Sequence, residues 1–282
     1  MKSAKKPSKY KALKPDQNGL IHYPERDNNT WKTLIQRQNE ILPGHACAEF
    51  IHGLELLDFS EDCIPQCHEV NEVLQAATGW AVERVPALIP ADQFFTLLSE
   101  KKFPAASFIR FPEELDYLEE PDIFHELYGH CPLLTNQAFA DFVEAYGKLA
   151  LSVSGADRMK LFRLFWFTVE FGLIQNPDGL RIYGGGILSS YQETLYALDQ
   201  KQKILYEPLT ADTALRTPYK INELQPLYFI IEQFEDLYKL MEIDLLALVN
   251  QANTLGDFPF PNYDKVMAAK KLATDDPMQE VA

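Results

Sequence analysis

Pro-Asp-Ile-Phe-His-Glu-Leu-Tyr-Gly-His-Cys-Pro, residues 121–132, sets two imidazoles, His125 and His130, five positions apart beside Gly129 and Pro132. At about 100° per residue such a pair lies roughly 140° apart on a regular α-helix, so both rings face one ion only if the helix loosens between them. Gly129 frees the backbone and Pro132 removes a donor, which supplies the loosening. The stretch therefore reads as a helix carrying half of a metal site. The zinc-peptidase pattern H-E-x-x-H needs its second histidine at i+4, where Gly129 stands, and this weakens a peptidase reading.

Working outward, a third ligand is offered by Leu-Phe-Arg-Leu-Phe-Trp-Phe-Thr-Val-Glu-Phe-Gly, residues 161–172, where Glu170 interrupts an almost wholly apolar run. A carboxylate among Leu164, Phe165, Trp166, Phe167, Val169 and Phe171 is costly to bury unless paired, protonated or bound to metal. An exposed position, or an ion pair with Arg163 or Arg181, is the plainer alternative. Two histidines and one carboxylate without cysteine leave coordination positions open, which suits non-haem Fe(II) oxygen chemistry better than a closed structural zinc site. Zinc hydrolases also use such sets, so the ligands alone do not choose the metal. The aromatic neighbours Phe124, Tyr128, Phe165, Trp166 and Phe171 favour an aromatic substrate over a hydrated peptide.

The 282 residues are enough for one large domain, and their 46% hydrophobic content is ordinary for a globular chain. A formal net charge of -15 disfavours nucleic-acid binding. Cys47, Cys63, Cys67 and Cys131 are irregularly spaced, pointing to reduced thiols in a cytoplasmic protein. Cys63-x3-Cys67-His68 lacks a second ligand pair and is not a convincing zinc site. Lysines at 2, 5, 6, 9, 11 and 14 precede no apolar core, which excludes a signal peptide or membrane span there and leaves residues 1–20 as a disordered basic tail. Residues 21–270 then form the catalytic domain and 271–282 a flexible C-terminal tail.

Patterning predicts helices over 29–42, 65–78 and 91–101, the second starting near Asp62 or Pro65. Two longer helices are expected over Asn136–Ser152 and Asp157–Ile174, joined by a turn at Ser154-Gly155. Gly184-Gly185-Gly186 opens another helix and points to close approach of the backbone to a ligand. Leu224–Ile231 reads as a short strand or hairpin, and a final amphipathic helix as Phe234–Ala252. No internal repeat is visible. The fold class is mainly α with a few short strands (α+β), in a single helical domain.

In this order, Pro121–His130, Phe165–Gly172 and Tyr183–Ser190 resemble the pterin-dependent aromatic amino acid hydroxylases, especially their bacterial phenylalanine-hydroxylating members. The likeness runs from about Trp31 to the Leu-Gln-Pro-Leu-Tyr-Phe segment at 224–229. It implies a ferrous iron held by His125, His130 and Glu170, with Asp122 and Ser189 fixing the ring of a ligand histidine. It implies Arg110 for the substrate carboxylate, and Trp166, Phe171, Gly186, Ser189 and Ile221 for the substrate pocket. It places a tetrahydropterin, tetrahydrobiopterin or a related reduced pterin, on Phe94, Ile89, Ala91 and Glu126. The pterin would supply two electrons for oxygen activation at the iron, and L-phenylalanine would leave as L-tyrosine.

Some positions depart from the family. Leu118, Phe165 and Pro104 stand where mammalian members carry Thr, Tyr and His, which leaves the pterin contacts open. Ile221 stands where tyrosine-hydroxylating members carry an acid, and Trp166 where tryptophan-hydroxylating members carry a smaller ring. Both favour phenylalanine. The mammalian regulatory domain and tetramerisation helix are not expected, so the chain would act as a monomer or homodimer without a membrane or nucleic-acid partner. A zinc-dependent hydrolase and a non-catalytic aromatic amino acid binding protein are the alternatives.

Overall fold

The computed structural model describes residues 9–116, 120–153 and 155–267. Among these, helices predominate and strands are short. The expected tail at 271–282, the departure at Leu118 and the turn residue Ser154 lie outside the described residues.

Helix α1 spans Glu25–Ile41, with Glu25 and Asp27 complementing the positive end of its dipole. It starts before residue 29 because Pro24 supplies a preset φ at the N-cap. Trp31, Leu34, Ile35 and Gln38 form its buried stripe. The expectation missed α2, Ala48–Leu57. Helix α3, Cys67–Ala77, begins at a reciprocal cap between Gln66 and Glu69 rather than at Asp62 or Pro65. Strands β1 (Ala81–Val85) and β2 (Lys102–Ala106) pair in parallel around α4, Ala91–Ser99. Their alternation is short and partly masked by buried neighbours, and neither strand was expected.

After α5 (Cys131–Leu134), Asn136 caps α6, Gln137–Leu151, by accepting from Phe139 N at 3.1 Å. The long helix expected over 157–174 is interrupted. Helix α7 covers Gly155–Phe165, a π-helical turn follows at Trp166–Glu170, and Ile174 lies in strand β3, Leu173–Asn176. Strand β4, Gly179–Ile182, returns antiparallel to β3. Next come α8 (Gly185–Leu188), α9 (Tyr191–Ala197), β5 (Leu205–Pro208) and α10 (Ala211–Arg216). Strand β6, Leu227–Ile231, lies parallel between β3 and β5 in the order β4-β3-β6-β5, so the strand expected within 224–231 covers only 227–231 and is a central strand, not part of a hairpin.

The final helix is also divided, into α11 (Glu235–Glu242) and α12 (Leu245–Leu255). Ile243 is extended, and Asp244 restarts the helix by accepting from Ala247 N at 2.9 Å. Residues 1–8 of the expected disordered tail lie outside the described residues. In the rest of it, Tyr10 is buried, stacks on Phe108 at 4.6 Å, and donates to Glu114. Tyr10 is therefore packed against the domain. Among the described residues, no helix is long and apolar enough to cross a membrane.

Candidate active site

His125–His130 forms a π-helical turn, the loosening that the five-residue spacing requires. Glu170 ends the second π-helical turn, which Phe171 N closes by donating to Trp166 O across five residues at 2.8 Å. These two turns aim three ligand atoms at one point. His125 Nε2 and His130 Nε2 are 3.1 Å apart, while Glu170 Oε2 lies 3.8 Å from the first and 3.4 Å from the second. Ligand atoms about 2.1 Å from one ion, at right angles, would be about 3 Å apart, so the set fits one octahedral face. The Arg163 and Arg181 alternatives fail, because those cations pair with Asp257 and Asp178.

Electrostatics agree with the geometry. Burial drives His125 down to about 4, against the pull of the Glu170 carboxylate, so its imidazole stays neutral. Burial raises Glu170, but His130 and His125 outweigh it and hold the carboxyl below its usual range. His125 Nδ1 lies 2.9 Å from Ser189 Oγ. With Nδ1 donating there, the Nε2 lone pair is left for metal.

Asp122 acts differently from the expectation. It accepts from the backbone N of His125 at 3.0 Å, not from its ring, and also from Arg110 N, Nε and Nη2 at 2.9, 2.8 and 2.9 Å. Burial raises the Asp122 carboxyl, and Arg110 overcomes this to hold it low. Arg110 is thus a buried fork braced by Asp122 rather than a surface cation.

The glycine run makes a close approach, though to the ligand side chains. A Cβ on Gly185 would fall 2.5 Å from His130 Nδ1, and one on Gly186 2.7 Å from Glu170 Oε2. Only hydrogen fits at either position.

Beside these residues opens a cavity of about 760 Å³ that brings Arg110, His125, Trp166, Phe171, Gly186 and Ser189 together. Trp166 is held between Phe171 and Tyr219, each with ring centres 4.2 Å away. Ile221 is also in the lining but is 55% exposed, which puts it at the mouth. Phe94, Ile89, Ala91 and Glu126 are not in this lining. Phe94 is half-buried against Phe95 and Phe165, at 5.3 and 5.4 Å. Glu126 is buried, not exposed on a helix face; desolvation, then Glu170 and Asp122, push its carboxyl well above the usual range. Sequence reasoning missed Tyr219 and Glu193 in the lining and Gln225 behind it. Their only local signals were Pro218-Tyr219 and an isolated acid after Ser189-Ser190.

Residues 2–251 match the profile of the biopterin-dependent aromatic amino acid hydroxylases. Phenylalanine-4-hydroxylase of Pseudomonas aeruginosa is 53% identical over 251 residues, covering 89% of this chain and 95% of that protein. The apo phenylalanine hydroxylase of Colwellia psychrerythraea superposes with a TM-score of 0.87 at 47% identity, covering 89% of this chain and 97% of the other. The Chromobacterium violaceum phenylalanine hydroxylase with bound oxidised Fe(III) gives 0.83 at 43% identity, over 88% and 89% of the two chains. Sequence, fold and the metal-ready triad agree, and the chain belongs to the biopterin-dependent aromatic amino acid hydroxylase family.

Proposed function

We propose that this protein is a phenylalanine 4-monooxygenase, converting L-phenylalanine and O2 to L-tyrosine with Fe(II) and a tetrahydropterin. The observation that carries the reading is the convergence of His125, His130 and Glu170 on one point at the wall of a cavity lined by Trp166 and Phe171. Those three residues would hold iron, and iron with reduced pterin supplies the oxygen activation and electrons that side chains lack. Residues 21–270 serve as the catalytic domain, acting as a monomer or homodimer in a reducing cytoplasm that suits four free cysteines.

The chain's own residues bind and orient. Arg110, braced by Asp122, would receive the substrate carboxylate, leaving the phenyl ring to extend toward Trp166, Phe171 and Gly186. Apolar walls there remove water from the ring at little cost. Ser189 holds the His125 imidazole in one tautomer. Phe94 would stack on the pterin beside Ile89 and Ala91, and the buried Glu126 carboxyl, which desolvation pushes well above its usual range, would hydrogen-bond to a ring atom.

Product analysis tests the proposal. Protein loaded with Fe(II) and given phenylalanine, reduced pterin and oxygen should form tyrosine with matching oxygen consumption. Hydrolysis supported by zinc without oxygen, or phenylalanine binding without product, would overturn it.

A further inference from the structure

Outside the metal set, the cavity wall contains a second buried carboxylate that the reaction does not require. Glu193 lies in the lining and is 6% exposed. Burying a carboxylate is unfavourable unless its oxygens are satisfied. Glu193 Oε1 accepts from Gln225 N at 3.0 Å and from the Tyr228 hydroxyl.

Gln225 is itself buried, and its side-chain amide is engaged at both ends. Its Nε2 donates to Lys220 O at 2.8 Å and Glu223 O at 2.7 Å, while Oε1 accepts from Trp166 Nε1 at 3.3 Å. Turning the amide over would set its oxygen against two carbonyls and its NH2 against an N–H. The amide therefore has one workable orientation. Residues 217–226 contain no helix or strand, so this wall has no backbone ladder to shape it. The same stretch carries Tyr219, which covers one face of Trp166, and Ile221 at the mouth.

We propose that Glu193 and Gln225 are positioning residues that set affinity for the substrate's aromatic ring, by fixing both the Trp166 indole and the 219–224 wall around it. Glu193, anchored on α9, holds the Gln225 backbone. Gln225 then holds the wall on one side and the indole on the other. Because Ser189 and Glu193 lie on adjoining turns, one short stretch of chain steadies both a ligand imidazole and the ring pocket. The assignment rests on the phenylalanine reading above.

The test compares Gln225→Met, Glu193→Leu and Glu193→Gln with wild type, all iron-loaded. Loss of one such hydrogen bond corresponds to about a tenfold change, so KM for phenylalanine should rise about tenfold in the first two while kcat stays within about twofold. Glu193→Gln keeps an acceptor oxygen and should restore KM to within about twofold of wild type. Phenylalanine titration followed by tryptophan emission supplies a readout without turnover. Trp31 and Trp80 are fully buried, so the change reports Trp166. If either of the first two variants fails to fold, Tyr228→Phe, which removes one hydroxyl, should still raise KM two- to threefold, roughly a weak hydrogen bond's worth. Unchanged KM and emission response in folded variants, or loss of iron and kcat instead, would overturn the assignment. Wild type that forms no tyrosine would refute the phenylalanine reading, and the emission titration would still decide whether these residues shape the aromatic pocket.

Discussion

Ser189 Oγ stands 2.9 Å from His125 Nδ1, on the side of the ring opposite the nitrogen that faces Glu170. A hydroxyl there holds the imidazole against rotation and leaves its other nitrogen unprotonated. Ser189→Ala should lower Fe(II) affinity about 10- to 100-fold, the range for losing a partner that orients a metal-bound imidazole. Metal titration of the apoprotein, with melting temperature as the control for folding, measures this.

Gly185→Ala should be more damaging than a surface substitution of the same kind. Its Cβ would lie 2.5 Å from His130 Nδ1 and 2.7 Å from Gly129 O, one of them a backbone atom that cannot swing away. Overpacking of this kind costs about 1–3 kcal/mol, and here the displaced group is a ligand imidazole. Denaturant unfolding should show the loss of stability, and iron content of the purified variant should fall well below one equivalent.

Arg110→Lys keeps the charge but loses the planar fork. Arg110 reaches both oxygens of Asp122 through Nε and Nη2 while facing the cavity, and a single ammonium cannot reproduce that. KM for phenylalanine should increase at least about tenfold, since charge-assisted hydrogen bonds contribute about 1.5–3 kcal/mol each. Steady-state kinetics at saturating pterin would show it, and an unchanged KM would remove Arg110 from carboxylate recognition.

Glu193 predicts a pH dependence of stability. Burial lifts its carboxyl up to about 7, against the lowering pull of Tyr228 and Gln225, while in the unfolded chain it titrates near its ordinary 4.5. Between these values the folded protein binds a proton that the unfolded chain has released, so this group's contribution falls as pH rises from 4.5 to about 7 and is level above. Urea midpoints of wild type and Glu193→Gln across this window should differ in slope, with the variant flatter.

Ile221 should influence phenylalanine over tyrosine less than a fully enclosed residue would. At 55% exposure, water competes for any polar group that approaches it. Phenylalanine should still be turned over much faster, because Trp166 and Phe171 offer a tyrosine hydroxyl no partner. Ile221→Asp should narrow the difference in kcat/KM by less than about tenfold, the lower range for one solvent-accessible hydrogen bond. Comparable wild-type values for the two amino acids would contradict this specificity.

The metal set was legible because the relevant physics is local. A five-residue histidine spacing demands a widened turn, and a carboxylate in an apolar run demands a partner. Helices with clear periodicity and caps, such as α6, were readable for the same reason. The long helix expected through Ile174 was not, because apolar residues of the π-helical turn and of β3 resemble a continuous buried helix. Strands β1 and β2 escaped because their pairing joins residues about twenty positions apart and each is too short to show a period.

By itself the sequence determined the chemistry: which side chains could hold a metal, that a helix must widen to bring them together, and that aromatic rings would surround them. Only the tertiary structure decided the partners. Asp122 braces Arg110 and the His125 backbone rather than the His125 ring, Gly185 and Gly186 yield space to ligand side chains, and Tyr219 closes over Trp166. Glu193 could be seen as a buried carboxylate only after α9 had met the segment leading into β6. Residue type and spacing constrain what a chain can do within a few turns, whereas hydrogen-bond partners across distant segments depend on how whole elements pack.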